Sequence, residues 1–330
     1  MIEPRTLQEQ GMMRAVFYRS CGNEDVLETG RFPEPPLDSG TIEVRVRAAG
    51  INPLDWKIRS GNLKPLLPRR LPRIPGSDLA GVVESLGPKV EGFKQGDRVF
   101  GSIDPSRTRY GSCAERVSLG RNRLARLPDQ LDFATGASLP IAGCTALQAI
   151  RDRLRVRPGQ SLLVNGASGG VGHFAVQIAR LIGAEVYGTC SPDNRDFVRD
   201  LGVDTVLDYT RGEHLGRTYD AVFDAAARLS WRQIRSILPT GRYVTTVPGP
   251  GHFLGMLLSP LQPRRIAFML VRVNSRDLDT LAAWCTSGAL QARVSRTFPL
   301  ERTAEAHKVN REGHVPGKLV IEMDAHLSAP

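Results

Sequence analysis

The stretch SLLVNGASGGVGHFAVQIARLIGAEVYGTC, residues 161–190, restricts what this chain can fold into more than any other. An apolar strand runs into a glycine-rich turn, the turn opens an amphipathic helix, and a second strand follows. That succession is a βαβ unit, which needs a parallel sheet with a helix on its face. The hexad Ala167-Ser168-Gly169-Gly170-Val171-Gly172 departs from the G-x-G-x-x-G fingerprint only at its first position, which is alanine. Gly169 would let the backbone approach a pyrophosphate, and Gly172 would let helix and strand pack closely. Free N–H groups at the helix start would then hold the phosphates. A plain tight turn is the alternative reading, and the place of the hexad inside a βαβ unit favours the nucleotide.

On either side of this unit the pattern divides the chain. Residues 13–18 and 41–49, AGVVESLG at 80–87, GDRVFGSI at 96–103 and GSCAERVSL at 111–119 read as short strands between turns. From about Ser138 strands and helices alternate: TALQAIRDRL, the βαβ unit, RDFVRDLG, TVLDY, AVFDAA, LSWRQIRSIL and RYVTTV. Alternation of apolar strands with helices predicts a doubly wound parallel sheet. After Asn274 a helix, a strand, a short helix and a last strand, GKLVIEM, are expected to return to the first unit. The fold class is therefore α/β. A β-rich unit spans 12–138 and 274–330, a doubly wound dinucleotide-binding unit spans 139–273, and residues 1–11 form a mobile tail. FMLVRVN is expected to be the last strand of the parallel sheet.

Composition closes off several classes. The longest apolar runs, Ile266 to Val271 and Phe253 to Leu258, fall far short of the roughly 20 residues needed to cross a bilayer. The first residues carry no apolar core of a secretory signal. Five cysteines (Cys21, Cys113, Cys144, Cys190 and Cys285) form no CxxC pair and predict free thiols in a reducing compartment, here the cytoplasm. The net charge of +10 reads either as arginines filling solvated faces or as attraction for anionic ligands. Lys57, Arg59, Lys64, Arg69, Arg70 and Arg73 crowd into one segment, read either as solvated surface or as a landing site for an anionic partner. Without interleaved aromatics beyond Trp56, the segment gives nucleic-acid recognition little support.

The nucleotide type turns on the end of the second strand of the parallel unit. There GTCSPDNR offers Ser191 and Arg195, a hydroxyl and a cation that suit a 2′-phosphate. Tyr209, closing the third strand, could reach the same ribose. Asp193 is the contrary signal. The balance favours NADPH over NADH.

The motifs AAGINPLDWKIRSG, IPGSDLAGVVESLG, GDRVFG, AGCTALQA, LLVNGASGGVGHFAVQIA and GHVPGKLVI together resemble the medium-chain dehydrogenase/reductase superfamily over almost the whole chain. The likeness is to its zinc-independent quinone oxidoreductase (ζ-crystallin-like) branch. NPLDWKIRSG and LPRRLPRIPGSDLAG are especially similar to the chloroplast-envelope quinone oxidoreductase homologues. The resemblance implies a GroES-like first unit. Where the zinc enzymes of this superfamily place cysteine, histidine and cysteine ligands, this chain has Asn52, Ser77 and Ile141. None suits a site of thiolate and imidazole donors, so no metal is expected. Cys144 is near that place but reads as a core residue.

Without a Lewis acid the expected chemistry is hydride transfer to a quinone or to the C=C of an α,β-unsaturated carbonyl. Charge then builds on the carbonyl oxygen and needs a fixed donor. Asn52 is either that donor or the residue fixing the turn before Pro53. Lys57 stands where related reductases often carry tyrosine; it is either an acid or oxyanion partner or a solvated lysine. Asp55 either orients Lys57 or caps the helix that follows, and solvent is the other source of the proton. Thr145 either contacts the nicotinamide side of the cofactor, as the resemblance implies, or is a helix-start threonine; Ala225 and Ala226 end a strand over the cofactor cleft and leave room for the ribose, and the turn at Val247 is expected near the nicotinamide. Lys318 is either a phosphate neighbour or a turn residue. His173, His252 and His314 are assigned packing or solvent roles. The resemblance implies that the edge strand FMLVRVN pairs with its twin across a two-fold axis in a homodimer; the other reading is an edge strand covered within the monomer. Three functions follow. The first is an NADPH-dependent quinone or enone reductase. The second is a trans-acting enoyl reductase whose basic segment receives an acyl carrier protein or CoA thioester. The third is a nucleotide- or nucleic-acid-binding protein with little turnover.

Overall fold

In the computed structural model, which describes residues 11–63, 70–247, 249, 253 and 263–323, the chain forms a β-rich unit and a doubly wound unit, as the hydrophobic pattern predicts. The β-rich unit begins with a hairpin of β1 (Met12–Phe17) and β2 (Glu28–Pro33). Its main strands are β3 (Thr41–Ile51), β4 (Asp78–Leu86), β5 (Arg98–Ser102), β6 (Arg116–Gly120) and β7 (Leu124–Arg126). Helix α1 (Pro53–Arg59) leaves directly from the end of β3. α2 (Phe133–Ser138) and α3 (Pro140–Gln148) lead into the second unit, and a π-helical turn at Ala149–Leu154 extends α3.

The parallel sheet is built from β8 (Ser161–Asn165), β9 (Glu185–Cys190), β10 (Thr205–Asp208), β11 (Ala221–Asp224), β12 (Gly241–Thr245) and β13 (Arg264–Phe268). Helices α4 (Gly172–Ile182), α5 (Arg195–Asp200) and α6 (Trp231–Ile237) connect them. The order is β10-β9-β8-β11-β12-β13. The chain therefore starts in the middle, winds outward and then crosses back, which opens a crevice between β8 and β11 at the carboxyl ends of the strands. The remaining elements are α7 (Ser275–Thr286), β14 (Val294–Pro299), α8 (Thr303–Glu312) and β15 (Lys318–Glu322). β15 closes the order β14-β15-β3-β4-β5-β7 and lies antiparallel to β3.

The residue pattern explains these elements. Leu162, Leu163 and Val164 of β8 are all buried, because helices cover both faces of a parallel sheet. β3 alternates as far as Val46 and then buries Ala48 through Ile51, where β4 and β15 flank it and α2 packs on it. One core joins Ala48, Ala80 and Phe100 of the β-rich unit to Val164, Phe174 and Ile178 of the parallel unit, and Leu278 and Leu281 of α7 belong to it. A second core fills the β-rich unit, and a third lies around Leu163, Val222 and Tyr243.

Two expectations are corrected, and two strands went unread. The last strand of the parallel sheet is RRIAF, 264–268, and FMLVRVN contributes only Phe268. Beyond Met269, Gln148 exchanges hydrogen bonds with Arg272 N and O (3.1 and 2.8 Å), which turns the chain toward α7. Strands β2 and β7 escaped the pattern because they are short or carry Gly and Pro. The basic segment is not uniformly surface. Arg59 is fully buried, with Nη2 3.0 Å from Glu24 Oε1 and Nη1 donating to Gly22 O at 2.9 Å. Arg73 is also buried and donates to the carbonyls of Thr108 (3.1 Å) and Pro105. Both guanidiniums anchor loops. Lys64, Arg69, His252 and the first ten residues lie outside the described residues. All five cysteines are free, and Cys144 is buried in the core. Among the described residues no helix is long and apolar enough to cross a membrane.

Candidate active site

The parallel register brings the ends of β8 to β12 to one edge, and most of the predicted nucleotide residues follow those ends. After β8 the hexad 167–172 turns into α4. A Cβ on Gly172 would lie 2.0 Å from Gly166 O, so only glycine fits there. A Cβ on Gly169 would meet only Gly166 O, at 3.4 Å, so space is open above the turn. Gly169 N and His173 N bond Gly166 O and Gly169 O, whereas the N–H groups of Gly170, Val171 and Gly172 donate to no described protein group. Orphan donors at a helix start, beside the open space above Gly169, fit an anionic phosphate.

Beneath the turn lies a buried polar chain that sequence reasoning missed. Thr189 Oγ1 donates to Asn165 Oδ1 (2.7 Å), and Asn165 Nδ2 donates to Asp224 Oδ1 (2.7 Å). Tyr243 OH donates to Asp224 Oδ2 (2.9 Å). These bonds tie β9, β8, β11 and β12 together and hold the crevice edge rigid. The only signal was polar residues ending otherwise apolar strands.

Beyond β9, Ser191 Oγ accepts from Asn194 Nδ2 (3.1 Å), so its own hydrogen remains to be given. Arg195 Nη2 lies 3.7 Å from Asp208 Oδ2 and 3.6 Å from Glu213 Oε1, and Arg211 Nε lies 3.8 Å from the same Asp208 oxygen. Asp208 is buried, and the Thr210 hydroxyl, foremost, holds its carboxyl below the usual range. One buried carboxylate thus steadies two arginines beside the exposed Tyr209. Asp193 is exposed. Ala226 N donates to Asn165 O (3.1 Å), and Ala225 O accepts from Thr246 Oγ1 (3.2 Å). Thr145 is buried on α3, and Val247 is exposed just past β12.

At the other wall Asn52 caps α1. Its N–H donates to Asp55 Oδ2 (2.8 Å), and Ser77 Oγ donates to Asp55 Oδ1 (2.8 Å). Asp55 therefore caps the helix, and its carboxylate is spent on Asn52 and Ser77. Burial, the largest influence, pushes its pKa up to about 7. Asn52 Nδ2 donates to Asp78 Oδ2 (2.9 Å), and Ile141 N donates to the same carboxylate (3.1 Å). Burial raises Asp78 to about 6 against the pull of Lys318. Lys318 is buried, and its Nζ donates to Ile51 O (2.8 Å) and Asn52 Oδ1 (2.6 Å). Burial lowers its pKa, while Asp78 and Asp55 hold it up. The ammonium, one of the residues placed with the cofactor from sequence, is thus committed to the wall that carries Asn52. Lys57 is half-buried, its ammonium 5.6 Å from the centre of the Trp56 ring, and burial lowers its pKa.

Asn52, Ser77 and Ile141, where the sequence resemblance puts the zinc ligands of its relatives, lie inside a network of amide, hydroxyl, carboxylate and ammonium groups. These donors do not fit zinc, since an internal cation already sits among them. Among the described residues no three His, Cys, Asp or Glu side chains converge on a metal site. His173 is buried and stacked 3.9 Å from Phe174; its Nδ1 bonds Gly169 O and its Nε2 accepts from Arg293 N. Burial drops its pKa to about 3, so it packs as a neutral ring.

Comparison with known proteins follows the same lines. Residues 38–147 match the alcohol dehydrogenase GroES-like domain, and residues 201–321 match the zinc-binding dehydrogenase family. The chain is 32% identical over 330 residues to a chloroplastic quinone-oxidoreductase of Triphysaria versicolor, covering 94% of this chain and 98% of that one. It is 32% identical over 320 residues to a chloroplastic NADPH-dependent alkenal/one oxidoreductase of Arabidopsis thaliana, covering 94% and 79%. The solved quinone oxidoreductase from Coxiella burnetii superposes with a TM-score of 0.86 at 31% identity, covering 94% and 99% of the two chains.

Proposed function

The chain belongs to the medium-chain dehydrogenase/reductase family, in its quinone oxidoreductase branch, and from that membership we propose that it is a metal-free, NADPH-dependent reductase of quinones or α,β-unsaturated carbonyls. The observation that carries the reading is the wall around Asn52. An amide, two carboxylates, a hydroxyl and an ammonium bond one another at the positions to which the resemblance assigns the zinc enzymes' ligands. Activation of the acceptor then falls to hydrogen-bond donors.

The bound dinucleotide supplies a hydride. Gly170, Val171 and Gly172 N–H hold its pyrophosphate, and Thr145, Ala225, Ala226 and Val247 shape the nicotinamide end. Ser191, Arg195 and Tyr209 receive a 2′-phosphate, with Arg195 already steadied by Asp208. Asn52 donates to the acceptor's carbonyl oxygen as charge builds there. Lys57, whose burial eases loss of its proton, or solvent protonates the product. Burial of Arg59 and Arg73 takes these two cations of the basic segment out of reach of an anionic carrier, which weakens the case for a carrier-bound thioester beside a small free acceptor. The reading includes a homodimer and a cytoplasmic location.

The test is NADPH oxidation at 340 nm (approximate band of the reduced nicotinamide) with small enones and quinones, in the presence and absence of a strong chelator. Turnover with NADPH that ignores the chelator is expected. Loss of turnover on chelation, restored by zinc, would overturn the metal-free reading. Tight NADPH binding with no acceptor reduced would overturn the reductase reading.

A further inference from the structure

Asn52 is clasped between a group that can only donate and one that, when ionised, can only accept. Lys318 Nζ donates to Asn52 Oδ1 at 2.6 Å, and Asn52 Nδ2 donates to Asp78 Oδ2 at 2.9 Å. An ammonium has no lone pair and a carboxylate no proton, so chemistry dictates which end of the amide faces which partner. An amide nitrogen has two hydrogens. One goes to Asp78, and the other meets no described acceptor. Asn52 itself is 3% exposed, so its rotamer has little freedom.

The clasp is also joined to the nucleotide turn. Gly317 N donates to Ser168 O (2.8 Å), and the Lys318 stem runs so close to the turn that a Cβ on Gly170 would stand 3.1 Å from Lys318 Cδ. Asp78 in turn holds Ile141 N at the start of α3, the helix that carries Thr145. Lys318 thus braces Asn52 against the turn, and Asp78 braces it against α3.

We propose that Lys318 and Asp78 are positioning residues that lock the Asn52 amide, so that its second Nδ2 hydrogen is presented to the oxygen on which charge develops. The inference rests on the reductase reading, with Asn52 as the group that touches the acceptor. It also takes Lys318 away from the phosphates, where a lysine beside a glycine turn would otherwise be assigned.

The test compares wild type, Lys318→Met, Lys318→Arg and the double variant Lys318→Met/Asp78→Asn in the full chain. NADPH affinity is read by fluorescence quenching, kcat and KM with an enone, and the Asn52 side-chain amide by NMR after 15N-asparagine labelling. For Lys318→Met, kcat falls about 10- to 100-fold, part of what loss of an oxyanion donor costs. NADPH affinity stays within about threefold, KM moves less than kcat, and the two Asn52 amide protons shift toward the averaged positions of a mobile side chain. Lys318→Arg restores part of kcat. If the unpaired Asp78 prevents Lys318→Met from folding, the double variant, which removes both charges, carries the test with the same expected loss. A tenfold or greater loss of NADPH affinity with kcat retained would instead make Lys318 a phosphate ligand and overturn the inference. So would unchanged Asn52 amide signals, or a double variant with wild-type kcat. A wild-type protein inert toward every acceptor defeats the reductase reading instead, and the NMR comparison still tests the clasp.

Discussion

Replacing Asp55 by asparagine should change how stability responds to pH. The side chain keeps its shape, and its oxygen can still accept from Asn52 N, so the cap on α1 is preserved. What disappears is a buried carboxyl whose pKa is raised from 3.8 to about 7. A carboxyl raised on folding favours the folded state while protonated, so its contribution is complete below pH 3.8 and is lost as pH climbs through about 7. Around pH 5 to 6 the folded protein holds nearly one proton more than the unfolded chain at this site, falling to about half a proton at pH 7. A full proton corresponds to about 1.4 kcal/mol per pH unit, and the interval from pH 5 to 7 to roughly 2–3 kcal/mol. Asp78, also raised, acts in the same direction, and the lowered Lys318 acts oppositely. Carboxylates held low, such as Glu84 at about 2, add stability with rising pH at the acid end. The quantity to measure is therefore the difference between variant and wild type, in which shared contributions cancel. Urea unfolding at pH 5, 6 and 7 should show Asp55→Asn gaining on wild type at each step. A difference that is flat with pH, or that moves against the variant, would refute the burial argument.

Two other substitutions probe the nucleotide side. Arg195→Gln should weaken NADPH binding by about 10- to 100-fold, the worth of a charge-assisted phosphate contact, and change NADH binding less than threefold; equal losses for both would remove Arg195 from the 2′-phosphate. Gly172→Ala places a methyl carbon 2.0 Å from Gly166 O, so calorimetry should show a large fall in melting temperature together with lost nucleotide binding, and a variant with wild-type melting and binding would contradict the packing.

Much of this molecule was legible before folding because the relevant forces are local in sequence. The 3.6-residue period of α4, the glycines of the turn and the apolar run of β8 lie side by side in the chain. They sufficed to place the parallel sheet and the glycine turn at its edge. Errors arose where burial overrode residue type. Arg59 and Arg73 looked like surface and became internal anchors, and FMLVRVN looked more like a strand than RRIAF. Asp55, Asp78 and Lys318 are 263 positions apart at the extremes, and no periodicity connects them. Sequence alone determined the doubly wound fold and its glycine turn, since those depend on residue identity and short spacing, and the family resemblance marked Asn52, Ser77 and Ile141 as positions without soft metal donors. Only tertiary structure decided what stands there instead. β15 pairs with β3, Lys318 is carried to the head of α1, and a charge excluded from water must find partners wherever the fold delivers it.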